Sequence, residues 1–236
     1  MEYREPTISV KNLDVIYDHN VLETLAVDDV SLDVYDGEVT VIMGKSGCGK
    51  SSLLNTIGGI KKPNGGDILF RGSSIIGYSD SQLTDYRKDK IGFVFQNYNL
   101  MESLTVLENV EVASALSKDH YDPIETLKLV GMEGMESKYP KHLSGGEKQR
   151  VCIARAIVKK AEVLLCDEPT GALDTHNSKN IAVLLQNIAK KQKISVLIVT
   201  HNPDFLKIAD HYIIMENGQI IDEEVNDHPE NAEDVF

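Results

Sequence analysis

The chain has 236 residues, of which 42% are hydrophobic and 26% are charged, so it can bury a substantial core as one large or two closely joined domains. Its net charge of −13, from 24 basic and 37 acidic residues, argues against a duplex nucleic acid as a partner. The apolar runs are too short to cross a bilayer, and the sequence shows no signal-peptide pattern. The three cysteines include no C-x-x-C pair. Together these features predict a cytosolic protein with reduced cysteines.

Strand-like and helix-like patterns alternate along the chain. Strands are indicated where β-branched and apolar residues recur near a period of two, or form short apolar runs bounded by turn residues. Helices are indicated where apolar residues recur on one face, with proline early in the helix and glycine at its end. In chain order, strands are predicted at 7–17, 30–35, 39–43, 67–70, 91–95, 161–166, 194–199, 211–215 and 219–221, and helices at 52–57, 105–130, after Gly146, and at 175–191.

A glycine-rich loop joins the strand at 39–43 to the helix at 52–57. It reads Gly44-Lys45-Ser46-Gly47-Cys48-Gly49-Lys50-Ser51, with Ser52 directly behind it. The glycines let successive amide groups turn around phosphate oxygens, and the start of the helix adds its unsatisfied N–H groups. Lys50 can reach the β- and γ-phosphates, and the Ser51 hydroxyl suits Mg²⁺ as a ligand. The order of strand, loop and helix therefore predicts a nucleotide site.

Polar groups follow four apolar strands at the point where each strand ends. They are Gly44, Gln96, Asp167-Glu168 and Thr200-His201. Parallel strands end at one edge of their sheet, and ligands bind outside that edge. We therefore expect these four stretches to converge on the nucleotide.

Each converging group suits a step of nucleotide hydrolysis. Asp167 can orient Mg²⁺ or its waters beside Ser51. Glu168 is placed to polarise an attacking water as the general base. Gln96 offers an amide oxygen to the metal or to the water, and His201 can hydrogen-bond near the γ-phosphate. The predicted catalytic residues are thus Glu168, His201 and Gln96, and the predicted metal ligands are Ser51, Gln96 and Asp167.

A family resemblance rests on the stretch Leu143-Ser144-Gly145-Gly146-Glu147, which is followed by Gln149-Arg150. This stretch resembles the signature motif of ATP-binding cassette (ABC) transporter ATPases. The other landmarks of that family follow in its order: a Walker A loop at 44–51, the Q-loop residue Gln96, a Walker B segment at 163–168, a D-loop at 171–174 and the switch histidine His201. Tyr17 resembles the aromatic residue that stacks on adenine in the family. The resemblance covers residues 7 to about 225.

The resemblance implies a single nucleotide-binding domain over 1–236 with an α/β fold. A P-loop NTPase core would have a mainly parallel sheet. An antiparallel β subdomain would come from the N-terminus, residues 65–76 and the hairpin near Asn217. A helical subdomain would carry the signature at about 97–155. The acidic tail at about 222–236 is interpreted as solvated and disordered.

The resemblance also implies that ATP and Mg²⁺ bind between two copies of the chain. In the family, two cassettes pack head to tail, and each ATP lies between one P-loop and the signature of the other protomer. On that basis Ser144, Gly145, Gly146 and Glu147 would bind the nucleotide across the interface, at the start of a helix. Asp174 would contact the opposing cassette near its active site.

Within the family, several stretches resemble the macrolide-export, lipoprotein-release and antimicrobial-peptide-resistance group. Those ATPases are separate cytoplasmic subunits that lie at the inner face of the cell membrane and drive a membrane permease. For this chain the resemblance implies export or extraction of a peptide, drug or lipid-linked cargo. In the family, residues such as 97–104 form part of a groove for a short helix of the permease, so we expect Tyr98 and Met101 to contact it. Lys45 and Ser52 depart from the residues usual in this group.

Two other classes remain open. One is an ABC ATPase that moves no solute and acts on a cell-division or iron–sulfur assembly partner. The other is a chromosome-maintenance ATPase, which would need long coiled coils where residues 97–142 leave little room.

Overall fold

The computed structural model describes residues 4–18 and 23–236, which form two sheets and eight helices. The strands are β1 (Ile8–Asp18), β2 (Glu23–Val34), β3 (Val39–Met43), β4 (Gly65–Phe70), β5 (Ser73–Ser74), β6 (Ile91–Val94), β7 (Val163–Asp167), β8 (Ser195–Thr200), β9 (His211–Glu216) and β10 (Gln219–Val225). The helices are α1 (Lys50–Ile57), α2 (Asp80–Asp89), α3 (Val106–Leu116), α4 (Pro123–Leu129), α5 (Gly145–Ile157), α6 (Thr175–Gln192), α7 (Asp204–Ile208) and α8 (Ala232–Val235), with a 3₁₀ turn at Pro140–His142.

The larger sheet has the strand order β10-β9-β3-β8-β7-β6, and all of it except β10 runs parallel. Its central strands β3, β7 and β8 are mostly apolar and buried over nearly their whole length, because both faces are covered. Val41 and Ile198 pack into one hydrophobic cluster, and Ile42 and Val199 pack into the other. The carboxyl ends of β3, β6, β7 and β8 share one edge, which confirms the predicted parallel core.

The smaller sheet is antiparallel, with the order β2-β1-β4-β5. The expectation that the hairpin around Asn217 joins this sheet is wrong. β9 pairs with β3 instead, and β10 forms the outer edge of the larger sheet. The reason is burial: Ile213 and Met215 of β9 extend the apolar face of β3. One backbone hydrogen bond, from Asp28 N to Gly218 O at 2.9 Å, links the hairpin to β2.

The apolar pattern at 105–130 forms two helices. The Thr105 side chain caps α3 in a capping box with Glu108, and the backbone turns extended at Ser117. Asp122 then caps α4, in which Pro123 is the first residue. The N-terminus of each helix has a side-chain acceptor for its free backbone amide groups. These caps favour two separate helices over one long helix.

α2 lies outside the predicted elements. Ser79 and Gln82 form its capping box, but only Leu83 and Tyr86 of its residues are buried. With so narrow an apolar stripe, sequence periodicity carries little helix signal.

The acidic tail is ordered, contrary to the expectation that it is disordered. β10 continues through Val225. Ala232 of α8 is fully buried, and the Phe236 ring contacts the Phe205 ring edge to face at 5.1 Å. Two small apolar anchors therefore hold a segment whose composition alone indicates solvation. In the described ranges, no helix combines the length and apolar content that a membrane span needs.

Candidate nucleotide site

The glycine-rich loop leaves β3 at Gly44 and ends where α1 begins at Lys50. Gly49 has φ +107°, and a Cβ atom there would lie 2.0 Å from the Ala26 carbonyl oxygen. A Cβ atom on Gly44 would lie 2.3 Å from the Met215 carbonyl oxygen. Close backbone approach therefore requires glycine at both positions.

The Lys50 ammonium lies across this loop. Nζ donates hydrogen bonds to the carbonyl oxygens of Gly44 at 2.7 Å and Lys45 at 2.9 Å, and the residue is buried. Both acceptors are neutral, and among residues 4–18 and 23–236 Lys50 has no carboxylate within ion-pair distance. An anion in the loop would offer Nζ a stronger, charge-assisted partner.

Asp167, at the end of β7, contacts Ser51 in the first turn of α1. The Ser51 hydroxyl donates to Asp167 Oδ1 at 2.9 Å. Burial raises the pKa of Asp167, and the neighbouring Glu168 charge adds to this, while the Ser51 hydrogen bond and Lys50 oppose it. A hydroxyl and a carboxylate side by side form an oxygen donor set that fits Mg²⁺.

Glu168 has a backbone φ of +46°, which is unusual for a residue with a side chain and indicates a position fixed by its surroundings. Its Oε1 lies 2.9 Å from His201 Nδ1, and the Thr200 hydroxyl donates to its Oε2 at 3.2 Å. The Glu168 amide donates to the Val199 carbonyl oxygen. The end of β8 thus fixes both the backbone and the carboxylate of Glu168.

A cavity of about 350 Å³ joins most of the predicted site, and its volume is that of a small-molecule pocket. The loop contributes one wall, and Gln96, Glu168 and His201 contribute another. Its lining residues are Tyr17, Ala26, Ser46, Gly47, Gly49, Lys50, Ser51, Ser52, Gln96, Glu168 and His201. At the rim, Lys61 Nζ lies 3.9 Å from the centroid of the Tyr17 ring. Of the remaining loop residues, Lys45 is exposed and Cys48 is buried.

The signature residues are placed elsewhere. Ser144 caps α5 in a capping box with Glu147, whose carboxylate accepts from the Ser144 amide at 2.7 Å. This backbone hydrogen bond lowers the pKa of Glu147. None of Ser144, Gly145, Gly146 and Glu147 is among the described residues that line the cavity. One chain therefore does not bring its own signature to its own P-loop cavity.

The signature packs instead against the D-loop and the start of α6. A Cβ atom on Gly146 would lie 2.2 Å from Asn177 Oδ1, and one on Gly145 would lie 3.0 Å from Leu173. Asp174 caps α6 by accepting from the Asn177 amide, and Asn177 Nδ2 donates back to Asp174 at 2.8 Å. Asn177 thus connects the signature to Asp174 within one chain.

Tyr98 lies under the signature rather than on an open groove. It is half-buried, and its hydroxyl would be 3.1 Å from a Cβ atom on Gly145. Its backbone has φ +60°, and its carbonyl oxygen accepts hydrogen bonds from Arg155 at 2.8 Å and Cys152 at 3.0 Å. The prediction that Tyr98 and Met101 contact a permease helix is not tested by these contacts. Met101 is 37% exposed.

Three further contacts complete the site. Thr200 bonds Glu168, Asn177 bonds Asp174, and Ala26 lines the cavity. Thr200 was predicted to converge on the site with His201, but its hydrogen bond to Glu168 was not predicted. Ala26 and the approach of Asn177 to Gly146 gave no sequence signal, because these neighbours come from distant parts of the chain.

The strand–loop–helix fold, the lysine across the loop and the Ser51–Asp167 contact define a P-loop nucleotide-binding ATPase. The family model described as ABC transporter matches residues 27–171, so the chain belongs to the ABC transporter family as an ATP-binding, ATP-hydrolysing subunit. This confirms the family resemblance, including the similarity to lipoprotein-release ATPases.

Named relatives and a solved structure agree with this assignment. The methionine import ATP-binding protein MetN of Carboxydothermus hydrogenoformans is 41% identical, over 92% of this chain and 66% of that protein. The lipoprotein-releasing system ATP-binding protein LolD of Buchnera aphidicola is 41% identical, over 84% of this chain and 89% of that protein. The dimeric post-hydrolysis structure of the ATP-binding cassette MJ0796, bound to ADP and Pi, has a TM-score of 0.85 and 34% identity, over 92% of this chain and 98% of that one. The chain thus spans about two thirds of the length of MetN.

Proposed function

We propose that the chain hydrolyses Mg-ATP in a head-to-tail dimer and that this cycle drives a separate membrane permease. One observation supports the dimer: the P-loop, Gln96, Glu168 and His201 line the cavity, whereas none of the signature residues is among the described residues that line it. A second copy would supply Ser144, Gly145 and Gly146 to the γ-phosphate through the amide groups at the start of α5. The MJ0796 cassette, which is dimeric with ADP and Pi, supports the arrangement.

The residues of the cavity divide the reaction among them. Lys50 would exchange its two carbonyl acceptors for phosphate oxygens. Ser51 and Asp167, with Gln96, would hold Mg²⁺, which supplies charge neutralisation to the phosphate oxygens when bound. Glu168 would accept a proton as the water oxygen bonds to the γ-phosphorus and the bond to the β-phosphate oxygen breaks, giving ADP and phosphate. His201 would position the Glu168 carboxylate relative to the γ-phosphate. Tyr17 would stack on the adenine ring.

The partner proposal rests on a second cavity, of about 320 Å³, called here the basic groove. Its lining residues are Arg87, Phe93, Phe95, Asn99, Ala113, Arg155, Ala156 and Lys159. The Phe93 and Phe95 rings stack at 5.2 Å and form its apolar part. We propose that a short cytoplasmic helix of the permease docks here.

The chemistry of the basic groove selects an acidic helix. Arg87 donates to the Gly59 carbonyl oxygen, Arg155 to that of Tyr98, and Lys159 to that of Arg87. Among the described residues none of these three cations has a carboxylate within ion-pair distance, although the Asp89 charge acts on Lys159 from further away. Burial lowers the pKa of Lys159 to about 8. In a chain of net charge −13, such a cationic apolar groove favours a helix that carries carboxylates.

A peptide, drug or lipid-linked cargo, moved by export or extraction, remains our proposal for the transported material. LolD supports it by name, whereas MetN is named for import. The permease would place the chain at the cytoplasmic face of the cell membrane. An ABC ATPase that acts on a non-transport partner is the alternative, and recovery of such a partner in place of a permease would favour it.

Glu168→Gln tests the catalytic part of the proposal. The amide keeps the shape of the carboxylate but cannot accept the proton, so ATP turnover should fall by about 10²–10⁴-fold. Equilibrium ATP binding should persist, and light scattering with Mg-ATP should show a stable dimer. Turnover at the wild-type rate would refute the role of Glu168, and a variant that stays monomeric with ATP bound would refute the dimer.

A further inference from the structure

Residues 226–236, called here the strap, lie across two helices that frame the catalytic groups. Asp174 is the residue that caps the N-terminus of α6, and α7 begins three residues after His201. Family motifs do not extend into the strap, and its acidic composition predicts a solvated tail. Its contacts with α6 and α7 are specific.

On the α6 side, Gln186 is the central contact. Its Oε1 accepts from the Ala232 amide at 3.0 Å, and its Nε2 donates to the Glu230 carbonyl oxygen at 2.8 Å. Lys179, one turn into the same helix, donates to the Glu233 carbonyl oxygen. One amide side chain thus satisfies two backbone groups of the strap, so the strap is tied to α6 through its backbone as well as through buried Ala232.

On the α7 side, the contacts are aromatic and backbone. The Phe236 ring lies edge to face on Phe205, which is fully buried in α7. The Glu230 amide donates to the Lys207 carbonyl oxygen at 2.9 Å. The strap therefore connects α6 and α7, in addition to the direct hydrogen bond from Gln186 Nε2 to the Ile208 carbonyl oxygen at 3.4 Å.

From Phe205, a short series of hydrogen bonds leads to the proposed general base. The Phe205 amide donates to the Asn202 carbonyl oxygen, and the Asn202 amide donates to the Thr200 hydroxyl at 3.1 Å. That hydroxyl donates in turn to Glu168 Oε2. A shift of α7 would therefore move a direct partner of the Glu168 carboxylate.

A third cavity, of about 490 Å³, lies between the strap and the catalytic groups. Val235 and Phe236 line one part of it, while Glu168, His201 and the D-loop residue Leu173 line another. The strap does not line the nucleotide cavity. Its position thus connects it with the hydrolytic groups rather than with the phosphate loop.

We propose that the strap is a positioning element for hydrolysis, with Phe236 and Gln186 as its positioning residues. It fixes α7, and through Thr200 and His201 the Glu168 carboxylate, relative to the D-loop at the start of α6. This proposal rests on the roles given above to Glu168 and His201. It follows that weakening the strap lowers kcat while the affinity for ATP stays the same, because the P-loop wall is untouched.

The test uses the full chain with Phe236→Ala and, independently, Gln186→Leu. Misplacement of catalytic groups by a fraction of an ångström gives losses of roughly tenfold or more, so we expect kcat to fall about tenfold in each variant. The equilibrium Kd for ATP, measured without Mg²⁺, should stay within about twofold. Phe236→Tyr, which keeps the ring, should retain kcat.

Phe70→Ala is the matched control. Phe70 of β4 makes an edge-to-face contact with Tyr86 of α2 at 5.6 Å, so its loss removes a similar ring pair away from the strap. If Phe236→Ala and Phe70→Ala lower the melting temperature equally but both keep kcat, the strap is only a stability element and the proposal is wrong. If Phe236→Ala does not fold, Gln186→Leu decides by the same criteria. Wild-type turnover in Glu168→Gln would instead refute the proposed catalytic base, independently of the strap.

Discussion

Ser51, in the first turn of α1, donates a 2.9 Å hydrogen bond to Asp167 at the end of β7. The fold thus holds two oxygen ligands together from segments 116 residues apart. Because burial raises the pKa of Asp167, the carboxylate charge is unfavourable in the nucleotide-free chain. A divalent cation at this position would remove that penalty.

We expect Asp167→Asn to raise the melting temperature of the nucleotide-free chain at neutral pH. The folded-state pKa lies above the unfolded value, so the charged native form is destabilised at pH values above the folded-state pKa. The penalty is relieved as the pH falls through the folded-state pKa. The stability advantage of the variant should therefore be largest near neutral pH and shrink on acidification. Thermal melts in EDTA across this range measure it.

Mg-ATP should reverse the order of stability of the two proteins. The wild-type carboxylate would then pair with the cation, whereas the amide that replaces it in the variant would bind the cation weakly. An advantage of the variant that grows as the pH falls would show that Asp167 is stabilised as a carboxylate in the free chain.

A second prediction concerns the contact between Gly146 on α5 and Asn177 on α6. Because a Cβ atom at Gly146 would lie 2.2 Å from Asn177 Oδ1, Gly146→Ala should displace Asn177 from Asp174. We expect ATP turnover to fall about tenfold or more, while ATP binding by the single chain, whose own cavity Gly146 does not line, stays normal. The double variant Gly146→Ala/Asn177→Gly removes the clash and should recover part of the loss.

Turnover of both single variants and the double variant forms a thermodynamic cycle. Losses that simply add would show that the two residues act independently, and the proposed link between signature and D-loop would fail.

The convergence of the site could be predicted from the sequence because it depends on strand direction alone. Gly44, Gln96 and Glu168 follow strands of one parallel sheet, whose carboxyl ends must share an edge. The hydrogen-bond acceptors of the Lys50 ammonium could not be predicted. They are backbone carbonyl groups, and every residue has one, so the sequence does not indicate which of them are used. The positive φ of Glu168 likewise depends on the tertiary contact of its amide with Val199.

Other parts of the fold could not be predicted because isolated apolar residues give little pattern. Ala232 and Phe236 anchor the strap through partners on α6 and α7, which lie much earlier in the chain. The placement of Tyr98 under the signature could not be predicted from the sequence either. Its burial depends on α5, whose Arg155 and Cys152 hold its carbonyl oxygen.

The third prediction tests whether the signature acts on a partner's nucleotide. Lys50→Ala removes the phosphate-binding cation, and Gly145→Asp places a carboxylate where phosphate would bind, so each homodimer should be inactive. In a mixed dimer, one site carries both lesions and the other carries neither. An equal mixture should therefore regain about a quarter of the wild-type sites, assuming random pairing.

Turnover as a function of mixing ratio checks this, and each variant alone serves as its control. Because a Cβ atom at position 145 would lie 3.0 Å from Leu173, the melting temperature of Gly145→Asp must be compared with that of the wild type. An equal mixture that stays inactive, with both proteins folded and dimeric, would place the signature and the P-loop of one site in the same chain.

The last prediction concerns the basic groove and its permease. Lys159→Glu reverses one of the three cations and should abolish recovery of the permease from detergent-solubilised membranes, because an acidic helix would then meet a like charge. Lys191→Glu, an exposed residue in the last turn of α6, makes the same charge change outside the groove and should leave recovery unchanged. ATP binding should be normal in both. Since the pKa of Lys159 is lowered to about 8, recovery by the wild-type chain should also weaken as the pH rises past that value, when the ammonium loses its proton. Undiminished recovery with Lys159→Glu would place the docking surface elsewhere, and equal loss in both variants would show that net charge, rather than the groove, governs the association.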